Sequence, residues 1–302
     1  MSDIRFDDRV AVITGSGGGL GRTYALQLAS RGASVVVNDL GGSKDGSGSG
    51  SRAADEVVKE ITDAGGKAVA NYDSVSTAEG GAGIIKSAVD AFGKVDIVVN
   101  NAGILRDKSF AKMEFKDIEA VLDVHLRGAF YVSQPAFKVM KENNYGRFVF
   151  TASSAGIFGN FGQANYGAAK MGMVGLSNVI AVEGARSNIQ SNVIAPVAKT
   201  RLTEELLGKM ADYLDPEYVT ALVGFLCSET CDFTHEIFEI GGRRYARIFI
   251  GLAEGWMAPK GGEIPSLESI HENIGAIRAH EPFIIPASTT DEMKLLGKIM
   301  QD

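Results

Sequence analysis

Little in this sequence could hold a metal or a disulfide framework. It has two cysteines, Cys227 and Cys231, four residues apart in "LCSETC". No second ligand pair follows them, and none of the four histidines is paired at metal spacing, so no metal site is expected. Two reduced thiols suit a cytosolic setting. No apolar run approaches the ~20 residues of a membrane span. No run of Lys or Arg stands out, and 30 basic against 37 acidic side chains leave a net charge of −7. Nucleic acid or an anionic membrane is therefore not expected as a general partner. The opening "MSDIRFDDRV" lacks the apolar core of a signal peptide, and the closing "KIMQD" is not a Ser-Lys-Leu type address. The expectation is a cytoplasmic protein. There is no internal repeat.

What the chain does have is a regular alternation. With 45% hydrophobic residues in 302 it can bury a sizeable core. Short apolar runs fall at residues 10–14, 34–38, 67–71, 96–99, 147–151, 189–194 and 236–240. Segments of helical period separate them, at 20–31, 53–64, 78–92, 115–143, 163–186 and 216–226, with Pro135 expected to kink the fourth. Strands apolar on both faces, each followed by a helix, predict an α/β fold: a doubly wound parallel sheet of seven strands with helices on both faces. That domain spans residues 1–242. "GGSKDGSGSGS", residues 41–51, reads as a flexible loop, and 243–302, with Pro259, Pro265, Pro282 and Pro286, as an extension of helices and loops packed on the same domain.

The first strand runs into "TGSGGGLG", Thr14 to Gly21, and then a helix. Glycines there let a pyrophosphate approach the backbone at a helix N-terminus, making Gly15, Ser16, Gly19, Leu20 and Gly21 candidate cofactor contacts. Asp39 ends the second strand, where a carboxylate hydrogen-bonds the adenosine ribose and repels a 2′-phosphate. The expected cofactor is NAD rather than NADP. Further on, "QANYGAAK" places Tyr166 and Lys170 one helical turn apart. A lysine beside a phenol favours the phenolate, one way to bring a general acid/base toward neutral pH.

These motifs, with "NNAG" after the fourth strand, "TASS" ending the fifth and twelve residues between Ser153 and Tyr166, resemble the short-chain dehydrogenase/reductases. The resemblance covers about 240 residues. It implies a Rossmann-like fold and a division of labour. Tyr166 would exchange a proton with the carbonyl or alcohol oxygen, Ser153 would hydrogen-bond that oxygen, and Lys170 would lower the tyrosine pKa and bind the nicotinamide ribose. Asp73 would hold the adenine amino group, flanked by Ser74 and Val75. Asn101, Ala102 and Gly103 would line the ribose and nicotinamide. Val197 and Thr200, in a substrate lid over residues 195–207, would reach the nicotinamide amide. One position departs. His125, in "VHLRGAF", stands where the family has Asn, which puts the usual proton relay from lysine to solvent in doubt, although imidazole both donates and accepts.

A narrower likeness, carried by "VVVNDLGG", "VHLRGAF", "GIFGNFGQANYGAAK", "SNVIAP" and "LCSETC", is to the dehydrogenase region of peroxisomal multifunctional enzymes of type 2 and bacterial single-domain relatives. It implies oxidation of (3R)-hydroxyacyl-CoA, fatty or steroid side-chain, with NAD, by a homodimer packed through the helix after Tyr166. Arg106, Lys108, Lys199 and Arg201 are the basic residues expected nearest a CoA phosphate. The alternatives are a 3-oxoacyl-carrier-protein reductase, a free hydroxysteroid dehydrogenase and a non-catalytic dinucleotide sensor.

Overall fold

The computed structural model describes residues 3–198 and 212–300. The chain divides into two compact units, one through Arg247 and one from Ile248.

The first unit is built on one sheet, in the order β3-β2-β1-β4-β5-β6-β7-β8. Its strands are β1 Val10–Thr14, β2 Ser34–Asn38, β3 Lys67–Asn71, β4 Ile97–Asn100, β5 Gly146–Thr151, β6 Ile189–Val197, β7 Ile237–Gly241 and β8 Arg244–Ile248. Pairing from β3 to β7 is parallel throughout, with Val12 opposite Val36 on one side and Val98 on the other. Every residue of β1, β4 and β5 is buried. Each Val, Ile or Leu so buried contributes roughly 1.5–3 kcal/mol, which is why two-sided apolar runs settle in the middle of a parallel sheet. The strand order reverses beside β1, so the chain leaves β1 and β4 to opposite sides and opens a crevice above their C-terminal ends.

The sheet has eight strands where the sequence predicts seven. After β7 a two-residue connection, Gly242–Arg243, leads straight into β8, a length that suits an antiparallel return and no crossover. The strand "RYARI" escaped notice because its outward side chains are charged. Arg244 pairs with Glu239, and Arg247 with Glu236 at 3.1 Å. Charge along an edge strand also discourages pairing with other chains.

Helix ends follow local chemistry. Helix α3, Ala78–Phe92, starts where Thr77 Oγ1 accepts the Gly80 N–H at 3.1 Å and stops at Gly93, φ +82°. Helix α8, Pro216–Cys227, starts where Asp215 Oδ1 accepts the Glu217 N–H at 2.9 Å. Among the described residues of this unit, the remaining α-helices are α1 Gly19–Ser30, α2 Arg52–Asp63, α4 Phe115–Leu122, α5 Gly128–Asn143, α6 Ser154–Ile157 and α7 Ala164–Gly184. The long fourth helix of the sequence reading is interrupted between α4 and α5 by a π-helical segment, Asp123–Arg127, which carries His125.

Residues 41–51 were read as a flexible loop, and in the structure 41–50 form a compact loop with close ends. The Gly50 N–H donates to Leu40 O at 2.8 Å, closing the neck. Inside, the Ser43 N–H donates to Ser47 O, and the Ser43 and Ser47 hydroxyls both donate to Asp45. Repeated serines here satisfy one another.

The second unit also differs from a purely helical tail. It contains a short antiparallel pair, β9 Leu252–Ala253 with β10 Phe283–Ile284, and helices α9 Leu267–Glu272, α10 Ile274–Ile277 and α11 Thr289–Ile299. Phe249 stacks on Phe283 with ring centres 5.8 Å apart.

Candidate active site

The ends of β1 to β6 and the start of α7 converge on a cleft of about 970 Å³. Gly15 takes φ +63°, and a Cβ there would sit 2.8 Å from Ala102 Cα. Side chains are thus excluded where β1 meets the β4 loop. Asn101 explains how the turn is held. Its side-chain amide donates to Thr14 O at 3.0 Å and Gly15 O at 3.1 Å. The backbone N–H groups of Asn101 and Ala102 both donate to Thr14 Oγ1. Thr14, which sequence reasoning treated only as the start of a motif, therefore fastens two strands of the crevice together.

Gly15, Gly19, Leu20, Asp39, Asp73, Ser74, Val75, Asn101, Ala102, Gly103 and Val197 all line the cleft, with Ser153, Tyr166 and Lys170. Ser16 and Gly21 do not. Ser16 is fully buried, its hydroxyl donating to Ile13 O at 2.7 Å. A Cβ on Gly21 would lie 2.3 Å from Gly15 O, so that glycine serves close packing behind the turn. Thr200 lies outside the described residues, as do Lys199, Arg201 and most of the expected lid.

At the adenosine end, Asp39 Oδ2 accepts the Gly17 N–H at 2.8 Å and Oδ1 accepts the Gly41 N–H at 2.7 Å. Asp73 Oδ2 accepts from Asn71 at 2.9 Å, and Asp73 O from Asn38 Nδ2 at 2.9 Å. The residues fit a dinucleotide. A glycine turn bare of side chains opens the twelve-residue helix α1 toward the cleft, and a carboxylate stands at the end of the neighbouring strand.

At the other end Ser153, Tyr166 and Lys170 line the same cleft. Ser153 leaves β5 and caps α6, its Oγ accepting the Ala155 N–H at 3.2 Å. Burial pushes the Tyr166 phenol up to about 12, against the downward pull of Ser153. Lys170 is buried, and burial pushes its amine down to about 7. Its Nζ donates to Thr151 O and lies 5.4 Å from the Tyr166 ring centre. The amine is turned to a backbone carbonyl, and burial is the largest influence on both groups.

Asn165, given no role in the sequence reading, is buried beside Tyr166. Its amide donates to Arg106 O at 3.1 Å and Asp117 O at 3.2 Å, tying the start of α7 to the β4 loop and to α4. A polar residue in an otherwise small run was the available signal. Arg106 and Lys108, expected to greet a phosphate, are engaged elsewhere: Arg106 with Asp117 at 3.4 Å, Lys108 with Glu114 at 2.9 Å and Asp117 at 3.0 Å.

Among the described residues no group of three or more His, Cys, Asp or Glu could hold a metal ion, and no helix is long and apolar enough to cross a membrane. Cys227 and Cys231 are free and buried.

Residues 9–210 match the family described as short chain dehydrogenase. A putative short-chain type dehydrogenase/reductase of Mycobacterium tuberculosis is 55% identical over 242 residues, which is 80% of this chain and 85% of that one. The peroxisomal multifunctional enzyme type 2 of Mus musculus is 48% identical over 303 residues, 99% of this chain but 41% of the mouse enzyme. The structure of the full-length peroxisomal multifunctional enzyme type 2 of Drosophila melanogaster matches with a TM-score of 0.83 at 37% identity, over 99% of this chain and 50% of that one. The chain thus spans half or less of these two multifunctional relatives. The likeness read from the motifs to this family, and within it to the type 2 multifunctional enzymes, is borne out.

Proposed function

This chain belongs to the short-chain dehydrogenase family, and from that premise we propose that it is an NAD-dependent (3R)-3-hydroxyacyl-CoA dehydrogenase. The family works with nicotinamide dinucleotides. The carrying observation is that Ser153, Tyr166 and the buried Lys170 line one cleft together with the glycine turn and Asp39.

In this reading Asp39, Asp73 and Gly103 would hold the dinucleotide in the cleft, and Val197 and Thr200 would serve its nicotinamide end. When bound, it supplies hydride exchange with C3 of the substrate. Charge then develops on one oxygen only, and one proton donor with one further hydrogen bond answers it. Tyr166 moves the proton between its phenol and the 3-oxygen, Ser153 donates to that oxygen, and Lys170 holds the nicotinamide ribose. The acyl-CoA assignment rests on the likeness to the multifunctional enzymes. With Arg106 and Lys108 committed to carboxylates, the phosphate contacts of a CoA fall to Lys199 and Arg201.

We read the protein as a homodimer. Helix α7 buries Ala169, Met173, Val174 and Ile180 while leaving Met171, Val179 and Val182 exposed, a second apolar face that suits another subunit. The two buried free thiols suit a reducing compartment.

The test is initial rates with NAD and NADP against a panel of (3R)- and (3S)-hydroxyacyl-CoAs and free hydroxysteroids. The reading requires turnover of (3R)-hydroxyacyl-CoA with NAD. A free hydroxysteroid used as well as any CoA ester refutes the substrate assignment and leaves the redox chemistry standing.

A further inference from the structure

His125 stands between the two halves of the reaction centre. The π-helical segment swings it inward, where it is 2% exposed. On one side its ring is perpendicular to that of Tyr166, with centres 5.2 Å apart. On the other it fills the space beside the β4 loop so fully that a Cβ on Gly103 would lie 2.5 Å from its Cε1. Its Nε2 meets Ile104, 3.0 Å from the backbone N and 2.8 Å from the carbonyl O.

One nitrogen cannot serve both neighbours. The amide hydrogen of Ile104 is fixed by the backbone and points at Nε2, so Nε2 presents its lone pair and the ring proton sits on Nδ1. Nδ1 is buried with no hydrogen-bond partner. An imidazolium needs acceptors at both nitrogens; at Nε2 the one acceptor, Ile104 O, competes with the Ile104 N–H, and Nδ1 has no partner. The ionisable groups facing the ring are Tyr166 and Lys170, both on α7, while Asp123 and Arg127 of its own segment pair with each other and are more exposed. Burial, with the Lys170 charge second, holds the imidazole well below its usual value.

We propose that His125 is a positioning residue, a permanently neutral wedge that fixes Tyr166 against the Gly103–Ile104 turn, and not a proton carrier between Lys170 and solvent. This rests on the dehydrogenase reading of the site but not on its substrate. A wedge of this kind acts through distance. A displacement of about 1 Å at a reacting group is worth as much as ~100-fold in rate. Its removal lowers kcat and leaves the adenosine half of the cleft untouched.

The experiment combines nitrogen-15 NMR of the histidines in the full chain with kinetics of His125→Phe and His125→Gln. The His125 signal is assigned as the one lost in His125→Gln. It is expected to show a protonated Nδ1 and a bare Nε2, unchanged from pH 5 to pH 9. His125→Phe keeps the ring but not the acceptor, and it is expected to lose tenfold or more in kcat with NADH affinity within about twofold. His125→Gln restores an acceptor near Nε2 and recovers most of that loss. In both variants the limbs of the kcat–pH profile stay where they are in the parent. Titration of His125 within that range, a proton on Nε2, a limb that disappears in either variant, or full kcat in His125→Phe overturns the proposal. The NMR needs no substrate, so its failure is distinct from failure of the acyl-CoA reading.

Discussion

Asp39 accepts the backbone N–H of Gly17 at 2.8 Å, so the carboxylate that ends β2 also closes the glycine turn after β1. The two roles make separable expectations. A 2′-phosphate beside this carboxylate costs on the order of 1–4 kcal/mol, or roughly 10–1,000-fold. The unmodified enzyme should therefore favour NAD over NADP in kcat/KM, and Asp39→Asn, which keeps an oxygen for Gly17, should narrow the ratio with little loss of melting temperature. Equal kcat/KM for both cofactors in the parent refutes the first half.

Tyr166→Phe removes the proton donor from an otherwise unchanged site. General acid/base catalysis is worth ~10²–10⁴-fold, and the loss should appear in kcat with NADH binding preserved. Retention of most of the activity would remove Tyr166 from its role.

Lys170 carries a pH signature in stability. Its pKa falls from the ordinary 10.5 to about 7 in the fold, because burial penalises the ammonium. Between those values the unfolded chain binds a proton that the folded chain does not, so this group's contribution rises with pH from about 7 to about 10.5. Below pH 7 the fold carries the whole burial cost, about 1.4 kcal/mol for each unit of the shift. Lys170→Met should accordingly melt higher than the parent at pH 6, and the gap should shrink by pH 9. A gap constant across that range contradicts a buried amine.

Asp117 is 6% exposed and faces both Arg106 and Lys108. Removing one partner of a buried ionic cluster strands the others, a cost of roughly 3–5 kcal/mol at full burial and less here, where Arg106 and Lys108 are part-exposed. Asp117→Ala should lower the melting temperature, whereas Arg106→Gln with Lys108→Gln should leave KM for a CoA ester within about twofold. A large rise in KM would return these two residues to the phosphate site.

The parts legible in advance were those written by short-range rules. β1 and β2 fall on the residues their apolar runs predicted, because two-sided burial leaves no choice of register, and the half-buried edge strand β3 falls on its run as well. The capped helix α3 does so too. What escaped depends on partners distant in sequence. Strand β8 is recognisable only once Arg244 is seen opposite Glu239. Asn165 matters through carbonyls at residues 106 and 117. The state of Lys170 is set by how much water the fold removes, which no local spacing encodes. The 41–51 segment was legible as a loop, but the bonds among Ser43, Asp45 and Ser47 that shape it were not.

Two glycines of the same turn should fail in opposite ways. At Gly21 a Cβ would stand 2.3 Å from Gly15 O and 2.6 Å from Asn101 Nδ2, closer than real contacts allow, so the turn and the β4 loop must part. Gly21→Ala should cost about 1–3 kcal/mol in stability and, with the turn displaced, weaken dinucleotide binding tenfold or more. At Gly18, φ −167°, a Cβ meets nothing within 4 Å, and the residue lines the cleft. Gly18→Ala should leave the melting temperature of the free protein within about 1 °C, since an extended backbone accepts alanine without strain. Yet the new methyl group enters the space a pyrophosphate would take at the N-terminus of α1, so NADH should bind at least tenfold more weakly. Undiminished NADH binding by Gly18→Ala, measured by the change in nicotinamide fluorescence on titration, would place the dinucleotide somewhere other than this turn.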